Sequence, residues 1–292
     1  MNKQFSQISF FYAIANGIGQ IMLQENKWTG LFFIAGLFIG NWQYAVAAIV
    51  AAAVGTMLAI VLAFNNDNIN AGLYGFSPAL VGIALIFLFA NTLFVWILII
   101  AGAIAAALLQ HLFITKKIPG YTFPFIIITW LLIFFIRNYT TIPPSNFMQT
   151  KFMQTQFDNF FSLTNGFGEV MFQSNKLSGI LFFIGVLISK PITALYALAA
   201  SLIGILVALL NEQMIAQIQM GLFGFNTLLT AIVFSASKKL TALWVVIGSV
   251  ITIAIHILLV NYAVLNIVGG VFTFPFVAGS WITLFIQKNV AK

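Results

Sequence analysis

Long apolar runs, broken by short polar or glycine-rich stretches, organise the chain from end to end. The first run, Ile8 to Leu23, is interrupted by Asn16, Gly17 and Gly19. It makes a poor full span, and a half-helix that dips into a membrane and returns suits it better. Irregular backbone survives at membrane depth only where protein buries it or a watery cavity meets it. Five candidate spans follow, near 29–42, 44–64, 73–90, 92–115 and 122–137. A second series has a dip near 157–173 and spans near 177–189, 192–210, 222–236, 240–262 and 272–287. The polar stretch Asn138 to Gln156, which contains Pro143 and Pro144, reads as the linker between the two series. The expected organisation is a first repeat over 1–137, a linker over 138–156 and a second repeat over 157–292.

The repeat is written in the residues themselves. Asn16-Gly17-Ile18-Gly19-Gln20-Ile21-Met22 returns as Asn165-Gly166-Phe167-Gly168-Glu169-Val170-Met171, an offset of 165 − 16 = 149. Gln24, Asn26, Lys27 and Gly30 return at the same offset as Gln173, Asn175, Lys176 and Gly179. So does Gly72-Leu73-Tyr74-Gly75-Phe76, as Gly221-Leu222-Phe223-Gly224-Phe225. Tyr121-Thr122-Phe123-Pro124-Phe125 returns as Phe272-Thr273-Phe274-Pro275-Phe276, with 272 − 121 = 151. Five spans is an odd number, so the second half is expected upside down relative to the first, as an inverted repeat. The fold class that follows is all-α integral membrane: two inverted repeats, each of five transmembrane helices plus one re-entrant half-helix.

Composition makes the membrane reading close to obligatory. Of 292 residues, 62% are hydrophobic and only 6% are charged, with a mean hydropathy of +1.07. About a quarter of a soluble domain is usually charged. The net charge of +7 would suggest nucleic acid in a soluble protein. Here the basic residues stand singly or in pairs between apolar runs, so they mark topology instead. Threading the chain through places Lys3, Lys27, Lys116, Lys117, Lys190, Lys238, Lys239, Lys288 and Lys292 on one side. Arg137, Lys151 and Lys176 fall on the other. The positive-inside rule then makes the first side cytoplasmic, with both termini there. The N-terminal run resembles a signal peptide loosely but lacks a clear cleavage motif, and it is read as retained. There is no cysteine, which removes disulfides, thiolate metal sites and thiol nucleophiles.

Polar groups inside apolar runs are costly and therefore informative. Gln20 and Glu169 occupy matched positions at the ends of the two interrupted segments. Thr122 and Thr273 are likewise matched, each beginning a Thr-Phe-Pro-Phe block whose proline is expected to free a carbonyl. Gly17, Gly19, Gly166 and Gly168 would let helices approach closely or let backbone line a path. A lone Gln or Thr in a span often only bonds a neighbouring helix, whereas a carboxylate such as Glu169 is harder to explain that way. His111 and His256 lack equivalents in the other half, and packing or interface roles suit them better than chemistry. No His-Glu metal spacing, convergent carboxylate pair or nucleophile constellation is present, so neither an enzyme nor a resident cofactor or metal is expected.

Taken together, the Gly-Ile-Gly-Gln and Gly-Phe-Gly-Glu blocks, the two Gly-Leu-aromatic-Gly-Phe blocks and the two Thr-x-Pro-Phe blocks resemble the urea transporter family over essentially the whole chain. The resemblance implies a homotrimer with one pore inside each protomer and a narrow filter at the repeat interface. It implies that Gln20 and Glu169 bind urea at outer-lying sites and that Thr122 and Thr273 line the centre. Phe76 and Phe225, with Leu80 and Leu229 one helical turn on, would form flat apolar walls. Leu23 stands where its repeat equivalent Phe172 suggests an aromatic wall residue. Val268-Gly269-Gly270 replaces Ile118-Pro119-Gly120 before the second threonine block, and Ser77-Pro78 has no match at Asn226-Thr227. The implied function is passive, channel-like diffusion of urea across the cell membrane, with membrane lipid as the surrounding partner and no role for nucleic acid; the compactness of the chain and its lack of targeting extensions lead to the expectation of a bacterial inner membrane. A channel for short amides or other small neutral solutes is the nearest alternative. A proton-coupled secondary transporter using Glu169 is a further one.

Overall fold

The computed structural model describes residues 7–145, 158–173, 175–236 and 240–290. Lys3, Lys151, Lys238, Lys239 and Lys292 from the charge count, and linker residues 146–156, lie outside the described residues. The chain divides into two compact units, residues 1–150 and 151–292. The first carries α1 (Gln7–Gln20), α2 (Lys27–Gly40), α3 (Trp42–Val61), α4 (Asn66–Asn70), α5 (Phe76–Leu88), α6 (Leu93–Thr115) and α7 (Phe123–Tyr139). The second carries α8 (Asp158–Glu169), α9 (Lys176–Ser189), α10 (Pro191–Leu210), α11 (Ile215–Gln219), α12 (Phe225–Phe234), α13 (Thr241–Asn261) and α14 (Phe274–Val290). Each helix of the first unit has a counterpart in the same order in the second. Among the described residues the only extended pairing is an isolated bridge between Phe89 and Pro144.

Helices dominate because backbone polar groups have no partner in hydrocarbon other than themselves. Among the described residues, four helices are long and apolar enough to cross a bilayer: α3, α6, α10 and α13. On α6 the exposed residues Leu93, Ile97, Ile100, Ile104, Leu108 and Leu112 recur at three- and four-residue spacing. Val95, Ile99, Gly102, Ala103, Ala106 and Gln110 are buried on the opposite face. One stripe thus meets the surroundings while small residues let neighbouring helices close in. Asn26 and Asn175, which recurred in the sequence, are N-caps. Asn26 Oδ1 accepts from Trp28 N at 2.9 Å, and Asn175 Oδ1 accepts from Leu177 N at 2.9 Å. Each satisfies donors that a helix start leaves unbonded.

The structure differs from the sequence expectation in three places. First, α1 is an unbroken helix of 14 residues that runs straight through Asn16, Gly17 and Gly19. Second, the expected spans at 73–90 and 222–236 begin late, at Phe76 and Phe225. Gly72 and Gly221, at φ of 79° and 90°, hold a left-handed turn that no helix can include. The unexpected short helices α4 and α11 precede those turns. With 13 residues, α5 is about 20 Å long, short of the roughly 30 Å hydrocarbon core. Third, Pro124 and Pro275 sit at the second position of α7 and α14. No helical hydrogen bond is lost there, so these prolines start helices rather than free a carbonyl within one.

Each unit is built around one helix buried on every side: α5 in the first, α12 in the second. In the first unit α5 packs against α1, α3, α6 and α7. In the second, α12 packs against α8, α10, α13 and α14. An all-round apolar helix is stable only in such a central place. The end of α5 is tied off by the chain leaving α7, where Ser145 N donates to Leu88 O at 3.0 Å and Ala90 N donates to Pro143 O at 3.0 Å.

Candidate functional site

In the first unit the site begins at the C-terminus of α1. Asn16 and Gln20 lie one turn apart and face the same way. Asn16 Nδ2 donates to Asn70 O at 2.8 Å, and Gln20 Nε2 donates to Ala71 O at 3.0 Å. Together they staple α1 across the end of α4. The close approach requires glycine on both sides: a Cβ on Gly72 would lie 2.2 Å from Gly17 N, and one on Gly17 would lie 3.0 Å from Gly75 Cα. With its amide nitrogen engaged, Gln20 presents Oε1 as an acceptor. It is also the last residue of α1, where the helix ends in outward-facing carbonyls and the negative end of its dipole.

The second unit repeats this construction with one chemical change. Asn165 Nδ2 donates to Gln219 O at 2.7 Å, stapling α8 to α11, and a Cβ on Gly221 would lie 2.4 Å from Gly166 N. Glu169 ends α8 as Gln20 ends α1. An ionised carboxylate has no N–H to give, whereas the Gln20 side chain both donates and accepts. The substitution turns a half-donor into an acceptor-only group at the negative end of a helix. That location disfavours a carboxylate by roughly 0.5 kcal/mol at an exposed site, so helix stability does not account for its presence.

Beyond these ends the chain turns back through residues in the left-handed region: Leu23 at φ 55° and Phe172 at φ 58°. Gln24 N returns to Gly19 O at 3.2 Å and Gln173 N to Gly168 O at 3.0 Å, which closes each helix in a Schellman-type cap. Glycine normally fills that position. A side chain there costs about 1 kcal/mol and is held by its surroundings. The Phe172 ring meets Phe272 edge-on, with centroids 5.9 Å apart. This brings the α8 turn to the residue that precedes Thr273. Leu23 offers no ring for the matching contact.

Phe76 and Leu80 are both buried on α5, one turn apart, as are Phe225 and Leu229 on α12. Thr122 and Thr273 are buried immediately before α7 and α14. Tyr121 and Phe272, their predecessors, both hold left-handed φ, at 45° and 44°. The central helix of each unit therefore gathers three of the sequence-identified features. In the first unit α5 carries Phe76 and Leu80 and contacts the helices that end in Gln20 and begin after Thr122. In the second, α12 does the same for Glu169 and Thr273.

Sequence reasoning gave no role to Asn226. This fully buried side chain donates to Phe272 O at 3.1 Å and accepts from Phe276 N at 3.1 Å, so it grips the turn that carries Thr273. Its one readable signal was the mismatch with Ser77 in an otherwise repeated block. Each histidine packs within its own unit. His111 stacks on Phe64 with centroids 3.5 Å apart and meets Tyr74 Oη at 3.0 Å, whereas His256 lies against Phe223 and Phe225.

The family described as "Urea transporter" matches residues 11–288. Urea transporter 1 of Rattus norvegicus is 28% identical over 240 residues, covering 77% of this chain and 62% of that protein. Urea transporter 1 of Mus musculus is 27% identical over 241 residues, with the same coverage of each chain. Urea transporter 1 of Capra hircus is 26% identical over 240 residues, again with that coverage. This chain thus spans about 62% of the length of these curated relatives. With a match from residue 11 to residue 288, on a multi-pass set of apolar helices, the chain belongs to the urea transporter family.

Proposed function

We propose that this protein is a passive channel for urea, with the two units forming an inverted repeat and the pore running between them. The observation that carries the reading is the matched pair of helix ends. Gln20, its nitrogen committed to Ala71 O, and Glu169 close equivalent helices, each packed against the central helix that carries a buried Phe-Leu pair and that also meets the helix following a buried threonine. Family membership and the names of the relatives support urea as the solute.

Urea is planar and neutral, with four N–H donors and one carbonyl acceptor. An edge of oxygen acceptors answers the donors, and the flat apolar faces of Phe76, Phe225, Leu80 and Leu229 answer its plane. Leu23 and Phe172 complete the walls at the two ends. Gln20 and Glu169 bind the solute in the outer parts of the slot, and Thr122 and Thr273 carry it across the centre. Ions entering such a slot lose hydration without replacement and are rejected. Several weak sites in series let urea leave as readily as it enters. The assembly is a homotrimer with one pore per protomer, in the bacterial inner membrane with both termini cytoplasmic.

Short amides share urea's amide edge, and Leu23 in place of an aromatic makes them the nearest alternative solutes. The site is tested by Glu169→Ala in proteoliposomes. Urea permeability should fall at least about tenfold, the scale of losing one charge-assisted hydrogen bond, while the protein keeps its oligomeric state by size-exclusion chromatography. Undiminished flux removes Glu169 from the path.

A further inference from the structure

We propose that Asn226 is a positioning residue that presets the Thr273 hydroxyl by clamping the backbone on both sides of it. This rests on the urea-channel reading of Thr273. The first turn of a helix has amide donors without partners inside the helix. In α14 one of these, Phe276 N, is bonded by Asn226 Oδ1 at 3.1 Å from a different helix. The same side chain donates Nδ2 to Phe272 O at 3.1 Å, on the other side of Thr273. Thr273 is thus bracketed by both ends of one fully buried amide, 46 and 50 residues away in the chain from the two atoms it holds. Asn226 is itself oriented by His256, whose Nδ1 lies 3.4 Å from Nδ2. A swap of its amide oxygen and nitrogen would spoil both bonds at once, so the arrangement is self-consistent.

In the first unit the matched position holds Ser77. Its hydroxyl is buried and has no hydrogen-bond partner among the described residues. A serine has no carboxamide, so Ser77 cannot make the pair of bonds that Asn226 makes. The two halves otherwise agree closely: Phe76 and Phe225 open α5 and α12, and Tyr121 and Phe272 share the same left-handed φ. The clamp is thus a feature that the repeat does not duplicate through Ser77.

The test is a double-mutant cycle on the full chain in proteoliposomes, read by stopped-flow light scattering with a urea gradient. Thr273→Ala, Asn226→Ser and the double variant are compared with the unaltered protein. Loss of two buried hydrogen bonds that hold the backbone on either side of Thr273 predicts a roughly tenfold lower urea permeability for Asn226→Ser. The double variant should be no slower than Thr273→Ala alone, because Asn226 acts only through Thr273. Additive losses would mean that Asn226 supports the fold generally and would overturn the assignment, as would an Asn226→Ser protein with unchanged flux. If Asn226→Ser does not fold, Asn226→Asp keeps one oxygen and the size but loses the N–H donor. It enters the same cycle, where non-additive loss supports the clamp and additive loss or unchanged flux overturns it. A parent protein without urea flux above empty liposomes sinks the channel reading, and this inference with it. A conducting parent with an additive cycle sinks the inference alone.

Discussion

Substituting alanine for Gly72 should be among the most damaging small changes in the first unit. Two costs coincide there. The residue sits at φ 79°, where an L side chain is strained by about 1 kcal/mol. Its new Cβ would also lie 2.2 Å from Gly17 N and 2.5 Å from Asn16 C. Both are backbone atoms of α1, so no side chain can swing aside. Forcing α1 away would also stretch the bonds of Asn16 to Asn70 O and of Gln20 to Ala71 O. Overpacking of a rigid contact adds about 1–3 kcal/mol, for a total near 2–4 kcal/mol. Gly270 supplies the control, since it has φ 112° but no atom within 4 Å of the place a Cβ would take. Gly270→Ala should incur backbone strain alone, about 1–3 kcal/mol. Thermal unfolding in detergent, followed by loss of the monodisperse size-exclusion peak, separates the two. Gly72→Ala should lower the midpoint by roughly 4–16 °C and Gly270→Ala by less. Equal shifts for the two variants, or none for Gly72→Ala, would refute the claim that a glycine-to-glycine backbone contact fixes α1 against the α4–α5 turn.

Two further expectations follow from buried polar contacts. Thr230 Oγ1 and Thr252 Oγ1 are 2.8 Å apart between α12 and α13, so Thr230→Val should strand Thr252 and cost about 1–2 kcal/mol, visible as a lower midpoint in the same assay. Tyr74 Oη meets His111 Nδ1 at 3.0 Å, but the matched residue in the second unit is Phe223; Tyr74→Phe should therefore fold normally and lose no more than about 1.5 kcal/mol.

The long helices were legible because hydropathy alone distinguishes them. The expected span at 44–64 is α3, Trp42–Val61, and that at 92–115 is α6, Leu93–Thr115. The five-residue helices α4 and α11 were not, because Asn-Asp-Asn-Ile-Asn and Ile-Ala-Gln-Ile-Gln carry no sustained apolar run. Hydropathy also drew Leu73 and Tyr74 into α5, where the left-handed turn at Gly72 excludes them. At the site, repetition pointed to Gln20 and Glu169, and the structure places them as the last residues of α1 and α8. Their neighbours were harder to read. The recurrence of Asn16 as Asn165 was visible, but the carbonyls they hold, on Asn70 and Gln219, lie 54 residues away in each case. Asn226 was hidden for the same reason, since local pattern carries no record of a partner 50 residues on.

Urea flux through the unaltered protein is the most direct test of a passive channel. Proteoliposomes and empty liposomes would be subjected to urea gradients by stopped-flow light scattering, with and without an imposed pH gradient. A passive slot predicts urea permeation well above the empty control, without saturation and unchanged by the pH gradient. Urea accumulation against its own gradient when a pH gradient is imposed, or flux no faster than empty liposomes, would contradict it.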